Sequence, residues 1–356
     1  MFFKTKVPPP LPIRRVIAQP VPKPKSKLPL ALWFFAVFCG CVWLIIHTLS
    51  PNQPHCDEPP RLYSNQAQQD LRLTLIDAIR KAHQSIHLVM FGLSDPAILN
   101  ALANQTVPTV VYYDPNGSPN LWNALPKAKL HPVHGFGLMH QKILILDKET
   151  VFIGSANMTS ASLSMHDNLV IGLKSQKVAR FLIDKTPHSP GYLQAMVGGQ
   201  NLELWLLPDP RGHALADMRK KIRNAHQTLR IALFTFTHPA LVDEVIAAHR
   251  RGVDVSIVID MHSGLGASNK AIDKLKKSGV RVSMSTGVQL LHHKFIVIDN
   301  HTLLTGSANW TKAAFYKNSD CFLVLHNLTE EQKSFMHRLW TRIESEARVL
   351  KPKQKY

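Results

Sequence analysis

His140-Gln141-Lys142-Ile143-Leu144-Ile145-Leu146-Asp147, six further residues and then Gly154-Ser155-Ala156-Asn157 make up the stretch that decides the fold, because the chain writes it twice. The second copy is His292-His293-Lys294-Phe295-Ile296-Val297-Ile298-Asp299, six residues, and Gly306-Ser307-Ala308-Asn309, with every position displaced by 152. The apolar runs Ile143–Leu146 and Phe295–Ile298 hold no polar residue, as in a strand covered on both faces. Residues i and i+2 of a strand share a face, so His140 projects with Lys142 and His292 with Lys294. An imidazole beside an ammonium suits an anionic oxygen, most naturally a phosphate. The aspartates, Asp147 and Asp299, have the opposite parity and close their strands, which suits an orienting or turn residue. Gly-Ser on the return strand permits close backbone approach and offers a hydroxyl, and the Asn adds an amide donor.

The repeat extends outward from these motifs. Ile79-Arg80-Lys81-Ala82-His83-Gln84-Ser85-Ile86 returns as Ile222-Arg223-Asn224-Ala225-His226-Gln227-Thr228-Leu229. Each copy ends an amphipathic helix and enters an apolar strand, Leu88 to Phe91 and Ile231 to Phe236. A Pro-Ala pair and a second helix follow at Pro96 and Pro239, then a β-branched strand ending at Asp114 or Asp260. Strands alternating with helices predict an α/β fold, two pseudo-symmetric halves each built on a mixed, mostly parallel sheet flanked by helices. The halves are placed at 66–190 and 198–348, divided by the Pro/Gly-rich stretch Pro187–Gly199. His83 and His226 read as capping or packing residues.

The pattern His-x-Lys, four residues, Asp, six residues, Gly-Ser-x-Asn resembles that of the phospholipase D superfamily over about residues 66–348. The resemblance implies that both motifs meet at one site supplied by a single chain. One histidine attacks phosphorus to form a phosphohistidine, the other protonates the leaving alcohol, and water or another alcohol resolves the intermediate. It makes His140 and His292 the catalytic pair, with His140 the nucleophile by the usual family order and Lys142 and Lys294 binding phosphate. Asn157, Asn309, Ser155 and Ser307 would support the phosphate, and Asp147, Asp299 and Asp320 would stand behind the site. No metal and no cofactor are implied. The family usually carries Asn-x-Glu after each Gly-Ser-x-Asn, the acid orienting the opposite histidine. The second copy has Asn318-Ser319-Asp320, and the first has His166-Asp167-Asn168, so there the acid is missing or shifted to Asp167.

The remainder concerns partners and location. The chain has 356 residues, 45% of them hydrophobic, with 42 Lys and Arg against 24 acids, a net charge of +18. This composition excludes a disordered chain, a collagen-like fibre and a multi-span transporter. The charge predicts an anionic partner, nucleic acid or an anionic membrane. Seven of the positive charges lie in residues 1–27, a Pro-rich basic tail without an acid. Leu28–Leu49 then runs 22 residues without a charge, enough to span a hydrocarbon core of about 30 Å. A cleaved signal would have a shorter apolar stretch of about 7–15 residues and a small-residue exit, whereas this exit reads His47-Thr48-Leu49-Ser50-Pro51. The expectation is a single-pass anchor at 28–49, with the N-terminus cytoplasmic and everything after the 50–65 linker on the outer side. Residues 349–356 read as a basic tail. Four cysteines are too few for a disulfide scaffold. Cys39 and Cys41 fall in the anchor, while Cys56 and Cys321 either pair or stay free. Three functions fit: hydrolysis or transfer of phosphatidyl groups, a metal-independent nuclease of the same family, and a non-enzymatic binding protein.

Overall fold

The computed structural model describes residues 30–49, 51–185, 187–286 and 289–350, so the expected tail at 1–27, and all of that at 349–356 but residues 349 and 350, lie outside the described residues. Residues 1–50 and 51–356 form two separate units. In the first, Leu30–Leu49 is one helix of 20 residues, and its described side chains, Leu32 to Trp43, are exposed. Among the described residues no helix is long and apolar enough to cross a membrane. The expected span of 28–49 runs beyond the residues whose side chains are described.

The second unit holds two large sheets and a third of only two strands. The first is built from β1 (Arg61–Tyr63), β2 (Ile86–Met90), β3 (Thr109–Tyr113), β4 (Lys129–Pro132), β5 (Lys142–Leu146) and β6 (Thr150–Gly154), with β8 (Val170–Lys174) after the short β7 (His166–Asp167). Its order is β1-β8-β6-β5-β2-β3-β4. The second comprises β9 (Gly191–Val197), β10 (Gln200–Leu206), β11 (Thr228–Leu233), β12 (Asp254–Ile259) and β13 (Arg281–Ser285). Beyond the two-residue β14 (Leu290–Leu291) it continues with β15 (Lys294–Ile298), β16 (Thr302–Gly306), β17 (Cys321–Leu325) and β18 (Ala347–Val349). The order is β18-β13-β12-β11-β15-β16-β17-β10-β9. The centres match, β6-β5-β2-β3 against β16-β15-β11-β12, as the repeat requires.

Both sheets are mixed, but the expected parallel majority is corrected. Within these two sheets only β2–β3–β4 and β11–β12–β13 pair in parallel, and their other neighbours are antiparallel; the short β7 and β14 also pair in parallel. The reason is local. Asp147 and Lys148 have φ of 54° and 58°, and Asp299 and Asn300 have 51° and 55°. Two consecutive positive φ values make the turn that matches strand twist, so β5 folds back on β6 and β15 on β16 as hairpins. Two stretches expected as linkers also carry strands: β1 pairs with β8, and β9 pairs with β10.

Alternate residues of the buried strands feed different cores. Ile143 and Ile145 of β5 meet Phe295 and Val297 of β15 in one central core shared by the two sheets. Leu144 and Leu146 face an outer core under the helices of the first half, and Ile296 and Ile298 face its counterpart in the second. Side chains of opposite parity thus pack the halves together and pack each half on its own helices.

Candidate active site

The start of β5 lies against the end of β2, with Met90 opposite Lys142, and the start of β15 lies against the end of β11, with Leu233 opposite Lys294. Each hairpin's return strand, β6 or β16, ends at this same edge. His140 and His292 therefore stand where the loops of their halves converge, and His140, His292, Lys142 and Lys294 are all buried.

Each histidine is held by the opposite half. The His140 amide donates to the Ser319 carbonyl (2.8 Å), and the His292 amide to that of Asp167 (3.0 Å). His140 Nδ1 lies 2.8 Å from Asp320 Oδ1, and His292 Nδ1 lies 2.9 Å from Asn168 Oδ1. The Asn168 amide nitrogen donates to the carbonyls of Ser162 (2.8 Å) and His166 (3.0 Å), so its oxygen must face His292 and accept. Both rings then carry hydrogen on Nδ1 and leave Nε2 for chemistry. Asn168, and not Asp167, is thus the group behind His292. The Asp167 carboxyl is buried elsewhere, and burial together with Glu346 pushes it up to about 7.

The glycine-serine pairs serve these contacts. Ser307 Oγ donates to Asp320 Oδ1 (2.7 Å) and accepts from the Cys321 amide. Ser155 Oγ donates to Asn168 Oδ1 (2.9 Å) and accepts from the Leu169 amide. The serine hydroxyls expected on phosphate are therefore occupied in fixing the orienting groups. A Cβ on Gly154 would stand 2.3 Å from the Leu169 carbonyl oxygen, and one on Gly306 2.4 Å from that of Cys321, so only glycine lets the strands come close enough.

Asp147 and Asp299 sit at the far ends of β5 and β15. The Asp147 carboxylate accepts from the amides of His83, Gln84 and Ser85, and Asp299 from those of His226, Gln227 and Thr228. They are turn residues, the first of the two roles their parity allowed being unfilled. His83 adds an ion-pair contact to Asp147 at 2.8 Å. Cys56 is exposed, Cys321 is buried, and both are free.

Two residues escaped the sequence reading. The Phe91 ring lies 5.3 Å from that of His140 and 5.1 Å from Lys142 Nζ. Phe234 repeats the arrangement at 5.3 Å from His292 and 5.2 Å from Lys294. Phe91 and Phe234 recur at the same displacement as His83 and His226, which was the available signal.

The electrostatics follow from burial. Desolvation pushes the Lys142 ammonium down to about 7; desolvation and Lys142 hold Lys294 well below its ordinary value. Each ammonium donates to the carbonyl of its own histidine, at 2.6 and 2.7 Å. Desolvation and Lys142 lower His140, against the opposing pull of Asp320. His292 has no carboxylate, and desolvation, Lys294, Lys142 and His140 carry it well below its ordinary value. Burial alone would raise the Asp320 carboxyl, but His140, Lys142 and the Ser307 hydroxyl hold it low. The Oδ1 atoms of Asn157 and Asn309 are buried without a partner. An anionic ligand would relieve the repulsion among these cations and could accept from the Nδ2 donors of Asn157 and Asn309, though not pair with their Oδ1 acceptors. Among the described residues no group of three or more His, Cys, Asp or Glu is arranged to hold a metal ion.

A site of four buried bases and two amides, contributed equally by two repeats of one chain, defines a class of phosphodiester-processing proteins. The family model described as cardiolipin synthase, PLD-like domain, matches residues 118–186 and 218–342. The chain belongs to this phospholipase D family, whose named members are phosphodiesterases. It is 33% identical over 130 residues to a mitochondrial cardiolipin hydrolase of Xenopus laevis, covering 36% of this chain and 61% of that one. It is 26% identical over 107 residues to a phospholipase D of Rickettsia bellii, covering 30% and 53%. The chain thus spans little more than half the length of these relatives. Phosphatidylserine synthase of Haemophilus influenzae shares the fold, with a TM-score of 0.64 at 13% identity over 83% of this chain and 88% of that one.

Proposed function

We propose that this chain cleaves or transfers phosphatidyl groups of phospholipids through a phosphohistidine, from a body tethered by residues 28–49 with its N-terminus cytoplasmic and its catalytic part on the outer side. The observation that carries the reading is the reciprocal bonding of His140 to Asp320 and of His292 to Asn168. His140 is the nucleophile, because attack by its Nε2 places positive charge on the ring and Asp320 is the carboxylate positioned to balance it. The new N–P bond forms as the bond from phosphorus to the leaving oxygen breaks, and that oxygen takes a proton from His292 Nε2, a proton that the negative charge of the bound phosphate holds on the ring against the desolvation and neighbouring cations that lower His292 in the free protein. In the second step His292 Nε2 accepts the proton of a water or alcohol whose oxygen attacks phosphorus, and the N–P electron pair returns to His140. Lys142, Lys294, Asn157 and Asn309 hold the phosphate oxygens. The anchor and the phospholipid-acting relatives favour lipid over nucleic acid.

The test is product release by the full chain in mixed micelles of cardiolipin or phosphatidylcholine, and separately with single-stranded DNA and RNA, with His140→Ala as control. Histidine-dependent release of phosphatidic acid or headgroup is expected. Histidine-dependent cutting of nucleic acid with no lipid turnover would overturn the lipid reading while keeping the chemistry.

A further inference from the structure

The loops that carry the site also carry apolar side chains with nothing to cover them. On the first-half side, Phe136 and Leu138 lie four and two residues before His140 and are fully and half exposed, and Met165, next to His166, is more than half exposed. On the second-half side stand Leu265, at the end of the helix Met261–Leu265 that follows β12, and Tyr316, at the end of the helix Lys312–Tyr316 that follows β16. The backbone of the loop before His140 is held at Leu138, whose amide donates to Asn318 Oδ1 and whose carbonyl accepts from the Ser319 amide. A Cβ on Gly137 would meet the Lys317 carbonyl at 2.2 Å, so the backbone of this loop is pressed on the other half beside Asp320. Met165 and His166 share a pocket with Met261, His262 and Leu290, and the His166 ring is 5.9 Å from that of His292.

Charge on the same edge is one-sided. The acids in these loops, Asp95, Asp114, Asp167, Asp209, Asp260 and Asp320, are all buried, whereas Arg211, Lys312, Lys317, His134 and His262 are exposed. Exposed apolar side chains flanked by cations, with the acids withdrawn, match the interface of an anionic bilayer, where the apolar groups enter the acyl boundary and the cations meet headgroups. A nucleic acid would use the cations and could stack a base on Phe136, but would leave the aliphatic Leu138, Met165 and Leu265 against water.

We infer that this rim, Phe136, Leu138, Met165, Leu265 and Tyr316 with Lys312 and Lys317, is a docking surface for an anionic phospholipid bilayer that seats the mouth of the site on the membrane. The inference deepens the phospholipid reading and rests on it for its purpose, but its test does not use turnover. Full-length His140→Ala protein would be bound to nanodiscs of phosphatidylcholine, with or without phosphatidylglycerol, and followed by hydrogen–deuterium exchange. Amides of 133–139 and 261–266 should exchange several-fold more slowly on the anionic discs, and the Phe136→Ser/Leu138→Ser variant should lose that protection while its core strands stay protected. Equal exchange on both discs and in their absence would overturn the docking surface, as would protection given only by an oligonucleotide. Protection on anionic discs, together with no lipid turnover by the wild-type protein, would keep the surface and refute the catalytic reading alone.

Discussion

Replacing Asp320 by Asn removes a charge and almost nothing else. Oδ1 would still accept from His140 Nδ1 (2.8 Å) and from Ser307 Oγ (2.7 Å), and the contact given up is the long one from Asn318 at 3.5 Å. The first half of the site would then copy the second, where an amide stands behind the histidine. A carboxylate this close supports an imidazolium by about 1–3 pKa units, or about 1.4–4 kcal/mol. If the His140 ring becomes cationic when it takes the phosphoryl group, the variant should form the phosphohistidine about 10–1,000-fold more slowly. The pH dependence has a fixed sign. Asp320 raises His140 while desolvation and Lys142 lower it, so the variant's His140 titrates lower still. A nucleophile must be unprotonated, and the acid limb of the rate profile should therefore move to lower pH even as the plateau falls. Single-turnover measurements of acid-labile phosphoenzyme across pH would read both effects. A plateau within threefold of the wild type, or an acid limb that stays in place, would refute the assignment of His140 and its carboxylate.

Other outcomes follow from the same contacts. Lys142→Met should abolish turnover yet raise the Tm at pH 7, because replacing a buried charge by an apolar side chain is often stabilising by about 1–4 kcal/mol. With the folded Lys142 lowered to about 7, the wild type should gain stability as pH rises from about 7 toward the unfolded value, a slope that calorimetry should find reduced in the variant. Asp299→Ala should leave kcat unchanged and cost roughly 2–3 kcal/mol in denaturant unfolding, since three backbone amides lose a charged acceptor. Activity should survive EDTA, and its loss there with recovery on adding a divalent ion would count against phosphate binding by lysine and asparagine alone. Lys294→Ala should lower kcat by about 10²–10³, measured on a soluble diester to separate chemistry from membrane contact.

Side-chain parity along a strand is a local rule, and it was enough to put His140 with Lys142 and His292 with Lys294; that the two pairs meet was implied only by the family resemblance. Sheet direction was less legible: apolar runs do not say which way a neighbour travels, and the deciding signal was two consecutive left-handed residues at Asp147-Lys148 and Asp299-Asn300. Of the two readings of the first copy, an acid missing or one shifted to Asp167, the missing acid fits, since an amide stands behind His292. Asp167 looked right as a carboxylate, but it alternates to the wrong face of β7, and Asn168 reaches His292 because its amide is clamped by Ser162 and His166. Ser155 and Ser307 looked like phosphate donors because a motif shows which groups are present and not which neighbours have already claimed them.

The reciprocal orientation of the histidines has a consequence for how such a site can change over time. Were the two halves separate copies of one chain, any substitution would strike both sides at once, and an amide behind one histidine would be an amide behind both. Joined in a single polypeptide, the halves are free to diverge, and Asn168 opposite Asp320 is a difference that only a fused repeat can inherit. Division of labour between two once-equivalent imidazoles is thereby written in the covalent chain itself.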